Sequence, residues 1–240
     1  MVKSCSMEAK DRIFVALDTP DLKYALALSR DLLGFIGGVK LGKEFFTANG
    51  LDGVKKIARL GMPIFLDLKF HDIPNTVAGA IKSSLQVNPS IITVHASGGR
   101  AMLEAAAKIV EQKPAPKPLL IGVTLLTSID YEDLSQIGIT QPVEDHVLLL
   151  AELAKSSGLN GVVCSAKEIS IIKQKFGGLL KIIVPGIRPN FSGQNDQKRF
   201  VTPLQAIKNG ADLLVIGRPI TESPDPVGAA MKIVTEINSA

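Results

Sequence analysis

The feature that most constrains the fold is an eightfold alternation between short apolar runs and longer amphipathic stretches. The short runs are rich in β-branched residues and almost continuously apolar, as parallel strands are when helices cover both faces of their sheet. The stretches between them have helical patterns, such as 21–34 and 143–158, and both of these end at a glycine. The predicted strands are residues 13–17, 38–41, 64–68, 91–95, 119–123, 161–164, 181–184 and 213–217.

Eight strand–helix units in a chain of 240 residues fit the size and order of a (β/α)8 TIM barrel. We predict this fold as a single domain over residues 11–240. An open, doubly wound sheet is the alternative, although such a sheet rarely needs eight units of such even length. Residues 1–10 lack the apolar core of a signal peptide, and we interpret them as a flexible N-terminal tail.

The composition is that of a globular protein with a modest positive charge. Hydrophobic residues make up 46% of the chain, and no apolar run reaches the roughly 18 residues that a membrane span needs. The net charge of +4 is spread along the chain, which argues against a nucleic-acid surface but is compatible with an anionic small substrate. Cys5 and Cys164 form neither a disulfide framework nor a metal-ligand cluster, which favours a reducing, cytoplasmic location.

Polar and charged side chains gather where the predicted strands end. Each of them alone has an ordinary interpretation as a helix cap or a solvated loop residue. Because barrel enzymes keep their sites at the carboxyl ends of the strands, the convergence of these residues predicts a functional site there. The residues are Asp18, Lys40, Asp67, Lys69, His95, Thr124, Thr127, Ser165, Arg188, Gly217 and Arg218.

The stretch FLDLKFHDIPNTV, residues 65–77, places charged residues at the end of the third strand. Side chains alternate along a strand, so Asp67 and Lys69 point into the barrel mouth if the leucines beside them pack outward. Lys40 projects inward from the neighbouring strand, and Asp18 from the strand beyond it. Alternating carboxylates and ammonium groups can keep one another ionised in a poorly solvated place. A salt-bridge cluster that only fixes the barrel register is the alternative.

A glycine and an arginine follow each of the last two strands, in PGIR at 185–188 and IGRP at 216–219. The loops after these strands often bind phosphate, and glycine lets the backbone approach an anion that arginine holds with two hydrogen bonds. An ordinary turn with a solvated guanidinium is the alternative. The polar stretch between residues 186 and 202 is longer than most such connections, and long loops of this kind are usually lids or disordered.

Together these motifs resemble the bacterial type of the orotidine 5′-monophosphate decarboxylase family. FLDLKFHDIPNTV is similar to the family signature Asp-x-Lys-x-x-Asp followed by Ile-Pro-x-Thr. A related suprafamily of sugar-phosphate decarboxylases shares the first half of this signature. The resemblance extends over nearly the whole chain, through VALD, VKLG, TLLTS, PGIRP, NDQKR and VIGRPIT.

The resemblance implies an enzyme that converts orotidine 5′-phosphate to uridine 5′-phosphate and CO2 in pyrimidine biosynthesis, without a metal or other cofactor. It implies that Lys69 protonates the C6 carbanion, that Asp67 and an Asp72 from the second subunit of a homodimer hold Lys69 charged, and that Lys40 continues this network. The implied substrate ligands are Asp18, Lys40 and Asp67 near the ribose and the reacting carboxylate, Thr76 from the second subunit, Thr127 at the pyrimidine, Gln197 in the lid, and Arg188, Gly217 and Arg218 at the phosphate.

Two other functions stay open at this point. One is a metal-dependent sugar-phosphate decarboxylase, or a phosphate-binding epimerase or isomerase, on the same barrel; only the cofactor-free decarboxylase would keep its activity in a strong chelator. The other is a non-catalytic barrel that binds nucleotides and would tolerate loss of Lys69. Because His71 and His95 lack the spacing of a metal site, we interpret His95 as a packed residue of the barrel mouth.

Overall fold

Eight parallel strands form one closed barrel in the computed structural model, which describes residues 7–190 and 201–239. The strands follow one another in chain order, and the first pairs with the last. Closure excludes the open doubly wound sheet and confirms the (β/α)8 barrel. The strands are β1 Ile13–Ala16, β2 Gly38–Gly42, β3 Ile64–Phe70, β4 Ile91–His95, β5 Leu119–Val123, β6 Gly161–Val163, β7 Lys181–Pro185 and β8 Leu213–Ile216.

Helices alternate with the strands and surround the barrel. The side chain of Asp21 caps the first helix by accepting hydrogen bonds from the backbone N–H groups of Lys23 and Tyr24, and Pro74 opens the third. Short 3-10 helices lie at Lys10–Arg12, Leu85–Val87 and Ala96–Gly98. Within the described residues the α-helices are α1 Leu22–Asp31, α2 Lys43–Ala58, α3 Pro74–Ser84, α4 Arg100–Glu111, α5 Tyr131–Gln136, α6 Val143–Ser156, α7 Ile169–Phe176, α8 Pro203–Lys208, α9 Arg218–Thr221 and α10 Pro226–Asn238.

The barrel interior and the layer between barrel and helices form two separate apolar clusters. Strand neighbours of the interior residues, such as Leu66 and Ile92, belong to the outer cluster, because successive side chains of a strand point to opposite faces. The same alternation makes Asp67 on β3 and Thr93 on β4 the next inward positions toward the carboxyl ends. The interior cluster consists of Phe14, Ala16, Phe65, Ile91, Ile121, Val123, Val163, Ile183, Leu213 and Val215.

The carboxyl end of β3 departs from regular pairing. Leu66 pairs with Ile92 and Phe70 pairs with Val94, so β3 advances four residues while β4 advances two. Three residues of β3 therefore lie opposite Thr93 alone, which is a β-bulge. Lys69 lies within this bulge and has a left-handed backbone with φ 51°, which residues other than glycine rarely adopt. Simple strand alternation therefore does not describe Lys69, and its side-chain direction depends on the bulge.

The predicted N-terminal tail is described only from residue 7 onward. Ala9 is buried in the outer cluster and the Lys10–Arg12 helix follows it, so the chain already lies against the barrel before residue 11. Residues 1–6 lie outside the described part, and the tail stays a prediction there. Across 7–190 and 201–239, no helix combines the length and the apolar character needed to cross a membrane.

Candidate active site

Four charged side chains meet at the carboxyl ends of the first three strands. They are Asp18, Lys40, Asp67 and Lys69, which we call the charged cluster. Asp67 Oδ2 lies 2.6 Å from Lys69 Nζ and 3.7 Å from Lys40 Nζ, and Lys40 Nζ lies 2.9 Å from Asp18 Oδ1. Positive and negative groups thus alternate along a continuous row of ion pairs. The structure brings together four of the predicted site residues, although they lie in three separate parts of the sequence.

Burial and ion pairing shift the pKa of the central carboxylate, Asp67, in opposite directions. Asp67 and Lys40 are buried, whereas most of the Asp18 side chain is exposed. Burial raises the pKa of Asp67, but the ammonium groups of Lys69 and Lys40 and the hydrogen bonds from Lys69 and Thr93 together outweigh it. The pKa of Asp67 is therefore below its ordinary value, and the residue is ionised at neutral pH. It provides a fixed negative charge beside Lys69.

Two further residues shape the charged cluster, and sequence reasoning missed both. The Oγ1 of Thr93, which is fully buried, donates a hydrogen bond of 2.9 Å to Asp67 Oδ1 and accepts one of 3.0 Å from the backbone N–H of Lys69. At Gly42, a Cβ would lie 3.0 Å from Lys40 Nζ, so glycine leaves room for that ammonium group. The available signal for Thr93 was its position as a polar residue at an inward site of a strand next to β3.

A cleft of about 230 Å³ adjoins the charged cluster. Arg188 is half-buried, Arg218 is exposed, and neither forms an ion pair with a carboxylate of residues 7–190 or 201–239. Gly186 has φ 74°, which glycine adopts without strain. The cleft therefore presents two guanidinium groups to an anion. Its lining is Ala16, Asp18, Lys40, Pro185, Gly186, Ile187, Arg188, Val215, Gly217, Arg218 and Pro219.

Asp72 and Thr76 have no described ion pair or hydrogen bond with the charged cluster of their own chain. Both are exposed, and Asp72 Oδ1 accepts a hydrogen bond of 2.6 Å from the backbone N–H of Ile73. Among the described residues, Asp72 forms no ion pair with Lys69. Ile73, the next residue along the chain from Asp72, is 66% exposed.

The remaining predicted ligands have no described contact with the charged cluster. Thr127 is exposed in the connection between β5 and α5, where no described hydrogen bond links it to the charged cluster. The buried Oγ1 of Thr124 donates a hydrogen bond of 3.0 Å to the backbone carbonyl of Val163, so Thr124 links two neighbouring strand ends. Gln197 and the other residues of 191–200, which make up most of the predicted lid, lie outside the described residues.

His95 is half-buried, and its ring lies beside that of His71, with the centroids 5.4 Å apart and the planes tilted by 40°. Burial, followed by electrostatic interactions with His71, Lys43 and Lys69, lowers the pKa of His95 to about 4. His95 is therefore uncharged at neutral pH and packs in the barrel mouth. In the part of the chain that the structure describes, no three His, Cys, Asp or Glu side chains are grouped as ligands for one metal ion.

Known proteins resemble this chain over nearly its whole length. Residues 11–233 match the family described as "Orotidine 5'-phosphate decarboxylase / HUMPS family". The chain is 47% identical over 229 residues to an orotidine 5′-phosphate decarboxylase of Paramagnetospirillum magneticum, covering 94% of this chain and 97% of the relative. It is 50% identical over 221 residues to the enzyme of that name from Sphingopyxis alaskensis, covering 92% and 96%.

A solved structure agrees with this match. The crystal structure of an orotidine 5′-phosphate decarboxylase from Lactobacillus acidophilus superimposes with a TM-score of 0.83 and 37% sequence identity. The superposition covers 94% of this chain and 98% of the other. The family match over residues 11–233 spans all eight strands of the barrel.

Proposed function

The chain belongs to the orotidine 5′-phosphate decarboxylase/HUMPS family, and we propose that it converts orotidine 5′-phosphate to uridine 5′-phosphate and CO2. The observation that carries this proposal is the charged cluster at the barrel mouth, next to a cleft with two arginines. One end of this arrangement suits a phosphate, and the other can deliver a proton to a carbon. Both features match a nucleotide that loses a carboxylate from its ring.

Lys69 is the proton donor in this proposal. Decarboxylation at C6 of the pyrimidine breaks the bond to the carboxylate carbon and leaves the electron pair on C6, where the ring offers no electron sink. The site must therefore stabilise this carbanion by electrostatics or protonate it as it forms. Lys69 Nζ supplies the proton to C6 while CO2 departs. Asp67, held 2.6 Å away, keeps Lys69 in its charged form and adds negative charge near the departing carboxylate.

The phosphate binds at the opposite end of the site. Arg218 and Gly217 hold it, with Arg188 assisting, because these residues line the cleft and the two guanidinium groups have no described carboxylate partner. Asp18 and Lys40 face the same cleft and contact the ribose. Binding energy from the distant phosphate can then be used to hold the reacting ring against Lys69.

Two further ligands complete the proposed contacts with the substrate. Thr127 binds the amide edge of the pyrimidine, since a threonine hydroxyl can both donate and accept a hydrogen bond. Gln197, in the proposed lid, bridges the phosphate and the pyrimidine. Closing such a lid excludes water from the charged cluster and strengthens its electrostatic effect.

The active sites are shared between the two subunits of a homodimer. Asp72 and Thr76 are exposed, and neither has a described ion pair or hydrogen bond with the charged cluster of its own chain. The exposed Ile73 beside Asp72 suits a subunit interface. A twofold axis at the barrel mouths places each Asp72 and Thr76 in the opposite site. The buried free thiol of Cys164 and the nucleotide substrate fit a cytoplasmic enzyme without a membrane or nucleic-acid partner.

The test is the absorbance change when the purified protein is mixed with orotidine 5′-monophosphate in excess chelator. We expect turnover, with the Lys69→Ala protein as an inactive control. Folded wild-type protein that binds the nucleotide without turnover would refute the enzyme and support a binding barrel. Turnover that appears only with an added divalent ion would support a metal-dependent reaction instead.

A further inference from the structure

Thr93 places a hydroxyl group inside the barrel. The neighbouring inward position on β3 is the charged residue Asp67. The inward predecessor of Thr93 on β4 is Ile91, which belongs to the apolar interior, and the Thr93 side chain is fully buried. The single oxygen of Thr93 makes two hydrogen bonds, one to the Asp67 carboxylate and one from the backbone of Lys69. No other side chain has a described hydrogen bond to both of these residues.

We propose that Thr93 is a positioning residue for the proton donor: its hydroxyl holds the left-handed backbone of Lys69 and the carboxylate of Asp67 at the same time. The inference rests on the proposed role of Lys69 in decarboxylation. In the bulge, where three residues of β3 lie opposite Thr93, the Lys69 N–H donates its hydrogen bond to the Thr93 hydroxyl. A left-handed non-glycine backbone persists only where its surroundings hold it.

The direction of these two bonds requires a hydroxyl group. An ionised carboxylate can only accept, so Thr93 donates its proton to Asp67 Oδ1 and uses a lone pair for the Lys69 N–H. The bond to Oδ1 fixes the rotation of the carboxylate and leaves Oδ2 toward Lys69 Nζ, at 2.6 Å, and Lys40 Nζ, at 3.7 Å. Serine can make both bonds, whereas valine, which has the shape of threonine, can make neither.

The test compares Thr93→Val with Thr93→Ser, measuring turnover of orotidine 5′-monophosphate beside the wild type. We expect the valine protein to lose kcat on the order of 10- to 100-fold, the range for a buried charged group that loses a hydrogen bond. Its KM should change little, because the contacts with phosphate and ribose remain. The serine protein should keep most of the wild-type kcat.

The pH profile supplies a second readout that simple packing would not change. Loss of a donor to the carboxylate raises the pKa of Asp67, so the acid limb of the kcat profile should move to higher pH in the valine protein and stay in place in the serine protein. A valine protein with wild-type kcat, or a serine protein as slow as the valine protein with both folded, would overturn the proposal.

A crystal structure of Thr93→Val separates this proposal from the proposed function. If wild-type protein has no turnover, the decarboxylase assignment fails, and the valine structure still decides the role of Thr93. We expect Lys69 to leave the left-handed region or its Nζ to move away from Asp67. An unchanged φ near 51° and an unchanged contact would overturn the positioning role. Thr93→Ala, which also lacks the hydroxyl, replaces the valine variant if that protein does not fold.

Discussion

Removing the charge of Asp67 should destabilise the protein far more than removing the charge of Asp18. The charged cluster is balanced, with two carboxylates and two ammonium groups. Asp67 is its centre, with only 9% of its side chain exposed, and it faces the ammonium groups of both Lys69 and Lys40. Asn at position 67 keeps the shape but leaves the two lysines without that counter-charge. The matched control is Asp18→Asn, which makes the same chemical change on a carboxylate that also bonds Lys40, at 2.9 Å.

Burial decides the size of each effect. Removing one partner of a buried ion pair costs about 3–5 kcal/mol, because the other charge stays buried without compensation. Lys40 has 11% of its side chain exposed and Lys69 has 25%, so solvent screens part of the loss and we expect about 3 kcal/mol for Asp67→Asn. The Asp18 side chain is 57% exposed, and an exposed pair contributes at most about 1 kcal/mol.

Urea unfolding of the three proteins at pH 7 measures these free energies of unfolding. The pH dependence gives a second check, since the pKa of folded Asp67 lies below its ordinary value. The stability from its charge is thus complete above the unfolded pKa of about 4 and is lost as the pH falls through the folded pKa. The gap between wild type and Asp67→Asn should therefore narrow in acid. Equal losses for the two variants at pH 7, or an Asp67→Asn protein more stable than wild type, would refute the reasoning.

Three further predictions concern the proposed activity. Lys69→Ala should abolish turnover and still bind uridine 5′-phosphate in calorimetry, since it removes interactions made in the transition state; near-normal turnover would exclude Lys69 as the proton donor. Arg218→Ala should weaken binding of uridine 5′-phosphate but not of uridine, with partial rescue by guanidinium; equal weakening of both ligands would exclude a phosphate contact. Lys69→Ala and Asp72→Ala proteins, unfolded and refolded together, should recover about a quarter of wild-type activity, because about half the dimers are mixed and each has one intact site. An inactive mixture whose mixed dimers are detected by mass would place Asp72 in the site of its own chain.

The barrel was predictable because its signal is repeated along the chain. Strands buried on both faces must be apolar along their whole length, so each of the eight is visible by itself, and β4 and β5 have the predicted bounds. β3 was predicted to end at Leu68 but continues to Phe70. That difference has a physical cause, because the added residues include Lys69 in the bulge, where the pairing is set by β4 and not by the local sequence.

The charged residues and the hydroxyl of the site differ in how visible they are in the sequence. An unpaired buried charge costs so much free energy that Asp67 or Lys40 inside an apolar run must have a partner of opposite charge. This requirement predicted the charged cluster. A threonine in a strand does not require a particular partner, because its methyl group packs well and its hydroxyl can form a local hydrogen bond at little cost. Thr93 acquires its significance only when the register shift brings it opposite Lys69, and that shift is a long-range property of two paired strands. Sequence patterns describe regular secondary structure. Residues that hold a reacting group on a strained backbone, as Thr93 holds Lys69, lie where that regularity ends, so sequence patterns predict them least well.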